Sequence, residues 1–134
     1  MASIVPKDRT VAALGEEWTS LGDLLAELDD EQWRMPSPLP GWSVQDNVAH
    51  IVGTEAMLSG EAGPDVEIDR DVNTHVRNDI GAFNEQWVES LRPVPPNEVL
   101  SRFRELTGAR LAALEQMSDE EWNAESFTPA GMDT

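Results

Sequence analysis

The sequence contains no cysteine, which excludes disulfide bonds, cysteine nucleophiles and cysteine-ligated zinc sites. Basic residues are also scarce: nine Lys and Arg stand against 26 Asp and Glu, giving a formal net charge of −17. Binding to nucleic acid, or to an anionic membrane surface, requires clustered positive charge. We therefore expect neither a nucleic acid nor a membrane as a partner.

Long apolar runs are absent as well. The first ten residues lack the uninterrupted apolar stretch of a secretion signal, and no 18-residue apolar segment occurs. The cytoplasm is therefore the expected location. A hydrophobic fraction of 40% and five tryptophans are too much apolar material for a disordered chain, and 134 residues suit a single domain over residues 1–134.

Apolar residues recur at helical spacing, three or four positions apart, in four segments of the chain. The four stripes run over residues 11–28, 44–58, 76–91 and 99–117. No segment shows the sustained alternation that is typical of a strand. The pattern predicts an all-α fold, an antiparallel four-helix bundle.

Capping residues indicate where these helices begin. Ser43, with Asp46 three residues later, resembles a capping box ahead of the second helix. Asn97 is the expected N-cap of the fourth helix, and the third is expected to begin near Thr74. The segment Asp29 to Gln32 is expected to form a turn after the first helix.

The ends of the first and fourth helices share a sequence repeat. Leu-Asp-Asp-Glu-Gln-Trp ends at Trp33, and Met-Ser-Asp-Glu-Glu-Trp ends at Trp122. The first is followed by a Pro-Gly stretch that ends at Gly41, and the second by a Pro-x-Gly stretch that ends at Gly131. A capped helix follows Gly41 at once, whereas three residues follow Gly131. Either the repeat is a generic helix exit, or a further helix normally begins after Gly131 and the domain is incomplete at its C-terminus.

The candidate residue for metal chemistry is His50, in the middle of the second predicted helix. Asp46 and Thr54 lie four residues before and after it, on the same face. In one interpretation His50 binds a metal and the carboxylate of Asp46 accepts the other ring N–H. In the other, His50 is half-buried, is bonded to Asp46 and has no further role.

The third predicted helix carries further polar residues. His75 is expected in its first turn, as a surface or loop-contacting histidine. Asn78 falls near the edge of the apolar stripe and is expected to point inward. Asp79 and Glu85 are expected to face water.

Two other side chains have open roles in the predicted bundle. Glu55 falls on the apolar stripe of the second helix, so it either pairs with Arg77 or another arginine, or lines a cavity. Trp42, between Gly41 and Ser43, is expected to staple the preceding loop to the bundle.

The segment from Pro36 to Gly53, Pro-Ser-Pro-Leu-Pro-Gly-Trp-Ser-Val-Gln-Asp-Asn-Val-Ala-His-Ile-Val-Gly, resembles a known family. It is similar to the N-terminal metal-binding domain of mycothiol-dependent maleylpyruvate isomerases, within the DinB-like superfamily. Residues 75–84 and 87–92 resemble the third helix of that domain. The resemblance implies a four-helix bundle that holds one divalent metal, with zinc the expected ion and His50 the first ligand.

The resemblance also implies where the other ligands lie and which cofactor is used. They are expected on a later helix, as a Glu or His and a His one turn apart, after the stretch from Thr128 to Gly131. The sequence stops before that helix. The implied cofactor is a low-molecular-weight thiol such as mycothiol, whose thiolate adds to an activated double bond, allows rotation and leaves again.

Two function hypotheses therefore remain open. The first is a metal- and thiol-dependent isomerase or transferase of the DinB-like kind, with unassigned catalytic residues and substrate. The alternative is a non-catalytic acidic helical binding module with a vestigial metal site. If the last helix is missing, an apolar groove stays exposed, and a second copy is its expected occupant in a homodimer.

Overall fold

The computed structural model describes residues 4–124, and every regular element in that part of the chain is a helix. In chain order the helices are α1 (Lys7–Glu27), α2 (Asp30–Trp33), α3 (Val44–Leu58), α4 (Asp79–Leu91), α5 (Pro96–Gln116) and α6 (Asp119–Trp122). The predicted all-α fold is confirmed. The four long helices correspond to the four apolar stripes, and α2 and α6 are single turns that follow α1 and α5.

The long helices pack in the order α1, α5, α3, α4. The two neighbours α1 and α5 run antiparallel, because Gly15 lies against Leu111 while Gly22, further along α1, lies against Phe103, earlier in α5. A Cβ at Gly15 would lie 3.1 Å from Leu111, so glycine at this position allows the two helices to approach closely, whereas a Cβ at Gly22 would make ordinary contact.

Helix α3 lies between α5 and α4 and runs antiparallel to α4. Near its start, Asp46 meets Arg92 from the end of α4, and further along Gly53 meets the ring of Trp87. A Cβ on residue 53 would lie 2.5 Å from the Trp87 ring, so only glycine fits there. The absence of a Cβ on Gly53 therefore allows α3 and α4 to approach closely at this point.

The hydrophobic core draws on α1 to α5. Burial of each large apolar side chain contributes about 1.5–3 kcal/mol relative to exposure. The buried members of the core cluster are Leu25, Trp33, Val48, Val52, Ala56, Trp87, Val99, Phe103 and Leu106.

The start of the third long helix differs from the prediction. Helix α4 begins at Asp79 rather than near Thr74, because the side chain of Asn78 accepts the backbone N–H of Gly81 at 2.7 Å and caps the first turn there. As the N-cap, Asn78 is exposed and does not point inward. Ile80, which the stripe assigned to the core, lies in the exposed first turn and is 53% accessible.

The start of the fourth long helix also differs by two residues. Helix α5 has Pro95 as its N-cap and Pro96 as its first residue, so Asn97 is already inside the helix. Proline suits a first helical position because its fixed φ matches the helix and the N–H it lacks would have no partner there. The prediction of Asn97 as the N-cap was therefore wrong.

The sequence repeat is a structural repeat. Leu28 after α1 and Met117 after α5 are both extended, with ψ of 137° and 134°, and each donates its N–H to the carbonyl three residues back. Asp29 and Ser118 then form capping boxes that begin α2 and α6. The turn predicted from Asp29 to Gln32 is thus mainly a short helix. The stretch around Gly131 lies outside the described residues.

Val5, ahead of α1, and Lys7, the first residue of α1, lie against the ends of α6 and α5. The ammonium of Lys7 donates to the carbonyl of Glu115 at 3.0 Å and to that of Met117. The indole N–H of Trp122 donates to the carbonyl of Val5 at 2.7 Å. The beginning of α1 is therefore held beside the end of α6.

Residues 4–124 include no helix that is both long and apolar enough to cross a membrane.

Candidate functional site around His50

The loop before α3 is folded on itself by backbone hydrogen bonds. The N–H of Ser37 donates to the carbonyl of Trp42 at 3.0 Å, and the N–H of Val44 donates to that of Met35 at 2.9 Å. Ser43 then caps α3 in the predicted capping box with Asp46, which is confirmed. The result is a fixed position for Trp42 directly ahead of α3.

Trp42 is held by a buried carboxylate on α4. Its Nε1 donates to Oε2 of Glu85 at 2.7 Å, which confirms the prediction that Trp42 staples the loop to the bundle. Glu85 is 0% exposed, so the prediction that it faces water was wrong. It is buried because the loop before α3 covers this face of α4.

His75 lies in the segment before α4 and contacts both the loop and Glu85. It is outside the helix, contrary to the prediction of a first-turn position, because α4 begins only at Asp79. Its Nε2 lies 2.9 Å from Oε2 of Glu85. Its ring fills the space beside Gly41, where a Cβ would lie 2.6 Å from Nδ1, so the expected loop contact is confirmed.

Arg92, the residue that caps the end of α4, hydrogen-bonds to two carboxylates. Its Nη2 donates to Oε1 of Glu85 at 3.1 Å, and its Nε donates to Oδ1 of Asp46 at 3.3 Å. The same Nη2 lies 3.2 Å from the carbonyl oxygen of Gly41. Trp42, Asp46, His75, Glu85 and Arg92 thus form one connected set, which we call the Glu85 network.

The ring of His50 lies against the ring of Trp42, with centroids 5.4 Å apart and planes inclined by 43°. The side chain is half-buried, and this burial lowers the pKa of the His50 imidazole below its ordinary value of 6.5. Within residues 4–124 no hydrogen bond engages its ring nitrogens. Burial of His50 therefore favours the neutral imidazole, which is the form that binds metals.

The predicted partner of His50 is engaged elsewhere. The carboxylate of Asp46 accepts the N–H of Ser43 at 2.9 Å and a hydrogen bond from Arg92, so the expected bond to the His50 ring was wrong. The requirements of the helix cap and of the arginine determine where Asp46 points. Thr54, on the other side, donates to the backbone carbonyl of His50 at 2.9 Å rather than to its ring.

Glu55 pairs with an arginine, one of the two roles predicted for it. The partner is Arg110 on α5, whose Nε lies 2.9 Å from Oε2 of Glu55. Arg77 is exposed in the segment before α4 and is not this partner. The pair links α3 to α5 on the side of α3 away from α4.

His50 fits a divalent metal as one ligand, since it offers an unprotonated nitrogen without a hydrogen-bond partner in the described chain. A complete site needs three or more ligands. Residues 4–124 contain no group of three His, Asp or Glu side chains placed to hold one ion. The ligands expected beyond Thr128 to Gly131 fall outside the described residues.

Sequence reasoning missed Glu85 and Arg92 as members of the site. The signal was present, because Glu85, Val88 and Arg92 are spaced three and four apart and form a second stripe on α4. Val88 is fully buried, as is Glu85. The apolar stripe through Trp87 indicated only the adjacent face of α4 as buried.

The segment that contains the loop and helix around His50 is also matched in comparisons with known proteins. The sequence model of a family described as "Mycothiol maleylpyruvate isomerase N-terminal domain" matches residues 14–134. The chain is also similar to two uncharacterized proteins of Mycobacterium tuberculosis, MT0041 of strain CDC 1551 / Oshkosh and Rv0036c of strain ATCC 25618 / H37Rv. Each is 26% identical over 98 residues, which cover 73% of this chain and 38% of the relative. No solved structure is significantly similar to the chain.

Proposed function

Because the chain belongs to the mycothiol maleylpyruvate isomerase N-terminal domain family, we propose that it binds a divalent metal through His50 and serves a thiol-dependent isomerase or transferase. The observation that carries the proposal is the state of His50. Its ring is half-buried, this burial lowers the pKa of the imidazole, and no hydrogen bond in the described part of the chain engages its nitrogens. It also lies within the segment that carries the family resemblance.

The chemistry of such a site follows from the cation. A bound divalent metal lowers the pKa of a coordinated thiol and makes a thiolate available at neutral pH. In this chain His50 would supply one neutral nitrogen ligand, and Trp42 would shield one side of its ring from water. The other ligands would come from outside residues 4–124, and zinc is the ion that we propose.

The electrostatic field of the protein disfavours the approach of acidic substrates to this site. The net charge of −17 repels an acidic substrate over most of the surface. Arg92 is the basic residue of the Glu85 network, and its guanidinium is already engaged by Asp46 and Glu85. An anionic substrate would therefore rely on the metal itself for attraction, and we leave the substrate unspecified.

The proposal is tested by metal analysis of the purified chain. Because the described residues supply one ligand, we expect weak zinc binding, measured by equilibrium dialysis against zinc, and loss of most of it in His50→Ala. Glu55→Gln is the matched control, because it removes another poorly exposed carboxylate of α3 while it keeps both histidines and the Glu85 network. A zinc content below about a tenth of an equivalent, or one that His50→Ala leaves unchanged, contradicts the proposal.

A non-catalytic binding module is the second candidate. The observation that favours it is that Arg92 bonds to both Asp46 and Glu85, so these charged side chains engage one another and hold the loop in place. Under this candidate the protein has no thiol-dependent activity and forms a homodimer. Sedimentation of the purified chain as a monomer contradicts the dimeric form of this candidate.

A further inference from the structure

Glu85 is a buried carboxylate with three hydrogen-bonding partners. Its side chain is 0% exposed, and its oxygens meet Nε1 of Trp42 at 2.7 Å, Nε2 of His75 at 2.9 Å and Nη2 of Arg92 at 3.1 Å. An unpaired carboxylate in such a place would cost several kcal/mol, so these contacts are what make its burial tolerable. Three partners on one buried group also define its position closely.

All three partners act on the same two residues of the loop before α3. Trp42 is itself a partner, bonded through its indole N–H. Arg92 also donates to the carbonyl of Gly41 at 3.2 Å. His75 packs its ring beside Gly41, whose φ of +81° is a conformation that glycine adopts without strain. The network therefore clamps Gly41 and Trp42 from the side of α4.

The clamped indole has one aromatic partner in the part of the chain that the structure describes, and it is His50. The two rings lie 5.4 Å apart between centroids, at 43°. Asp46, which could have oriented the imidazole, is bonded to Ser43 and Arg92 instead. The His50 ring has no hydrogen bond from residues 4–124, and within them it packs against the indole of Trp42.

From this geometry we propose that Glu85 is a positioning residue, which fixes the Trp42 indole against the His50 imidazole and so sets the direction in which the imidazole offers its nitrogen. The inference rests on the proposed function of His50 as a metal ligand. Glu85 makes no hydrogen bond to His50 in the described structure, and it acts through the indole.

A purely structural role for Glu85 makes a different prediction. If Glu85 only holds α4 to the loop, its loss lowers stability but leaves the His50 ring in the same surroundings. The two roles are separated by a signal from His50 itself. The chain has only two histidines, so the imidazole carbon-bound protons give few NMR signals, and the spectrum of His50→Ala assigns them.

The test compares the His50 ring-proton shifts of the wild type, Glu85→Gln and Trp42→Leu at one neutral pH. Trp42→Leu removes the ring current and defines the shift of an unshielded His50. We expect Glu85→Gln to move the His50 signals at least half of the way to that value. We also expect its zinc affinity, measured by competition with a chromophoric chelator, to fall by about tenfold to a hundredfold, as for other residues that orient metal ligands.

Glu55→Gln is the matched control. Glu55 is also a poorly exposed carboxylate paired with an arginine, but it lies on the α5 side of α3, away from Trp42. We expect Glu55→Gln to lose stability while its His50 signals and zinc affinity stay at the wild-type values. The inference is overturned if Glu85→Gln keeps its helicity by circular dichroism and its His50 signals do not move, or if Glu55→Gln moves them equally.

A second variant covers the case in which Glu85→Gln does not fold. Trp42→Phe keeps an aromatic ring but removes the N–H that Glu85 accepts, so we expect it to displace the ring and change the His50 shifts beyond those that the smaller ring current explains. Nuclear Overhauser contacts between His50 and the Phe ring that match those of the wild type would overturn the inference. If the wild type binds no zinc, the proposed function fails, while the NMR comparison still decides the role of Glu85.

Discussion

The segments α1–α2 and α5–α6 have the same local structure and different surroundings. Each is a 21-residue helix, an extended residue, a capping box and a four-residue helix that ends in tryptophan. Trp33, at the end of α2, is 2% exposed and belongs to the core cluster. Trp122, at the end of α6, is only partly buried, and α6 contains no buried residue.

The difference comes from what packs on each short helix. Helix α2 contacts α3, whose residues Val48 and Val52 belong to the same cluster as Trp33. The indole of Trp122 is held instead by the carbonyl of Val5 in the segment before α1. Local sequence therefore determines the conformation of the segment that follows each long helix, while the burial of its tryptophan depends on an element distant in sequence.

The largest expected effect separates the two tryptophans. We expect Trp33→Ala to lower the free energy of unfolding by about 3–5 kcal/mol, because it leaves a cavity in the core. We expect Trp122→Ala to cost about 1 kcal/mol, roughly the value of its hydrogen bond. Urea denaturation followed by circular dichroism measures both, and equal losses would contradict the comparison.

The two capping boxes are expected to behave alike. Asp29→Ala and Ser118→Ala each remove the side chain that accepts the backbone N–H three residues on, from Gln32 and Glu121. We expect each to cost about 1 kcal/mol. Glu120→Ala, in the same turn but outside the box, is the control and should change stability by less than about 0.5 kcal/mol. If Asp29→Ala lowered stability much more than Ser118→Ala, the burial of α2 would also contribute to the energy of its cap.

A glycine-to-alanine change is expected to stabilise α5 more than α1. A Cβ at Gly108 on α5 meets nothing within 4 Å, so Gly108→Ala should raise stability by about 0.5–1 kcal/mol through helix propensity alone. A Cβ at Gly15 on α1 would lie 3.1 Å from Leu111, so we expect Gly15→Ala to gain less or to lose stability. Thermal melts of the two variants check this order.

The smallest expected effect concerns α3, the helix that covers α2 and carries His50. Burial lowers the pKa of His50, so its contribution to stability is present above the unfolded value near 6.5 and is lost as the pH falls through the folded value. An NMR titration should give a midpoint for His50, its pKa, below 6.5. Trp122→Ala should leave that midpoint unchanged, and a midpoint at or above 6.5 would contradict a pKa lowered by burial.

The sequence predicted the features that depend on local chemistry. The four long helices followed from apolar spacing, and the Ser43 capping box followed from a side chain that bonds three residues away. Trp42 was expected to hold the loop, because a large apolar ring between glycine and serine needs a surface to cover. The family resemblance of the loop and α3 agrees with the match over residues 14–134.

The features that the sequence left open depend on contacts between distant residues. Glu85 is buried because Trp42, 43 positions earlier, reaches it, and no local pattern contains that distance. Asp46 could have bonded to His50, and the choice of Arg92 instead depends on where α4 ends. The start of α4 was missed because the apolar stripe begins at Val76, whereas in the packed structure the side chain of Asn78 caps the helix.

The position of the segment before α1 also bears on how the gene could be rearranged. Because Lys7 and Val5 lie against Glu115, Met117 and Trp122, a short linker could join the two ends of the helical unit without disturbing it. New termini could then be opened in the helix-free stretch between Leu58 and Asp79. A circular permutant of this design would keep every long helix beside its present neighbours.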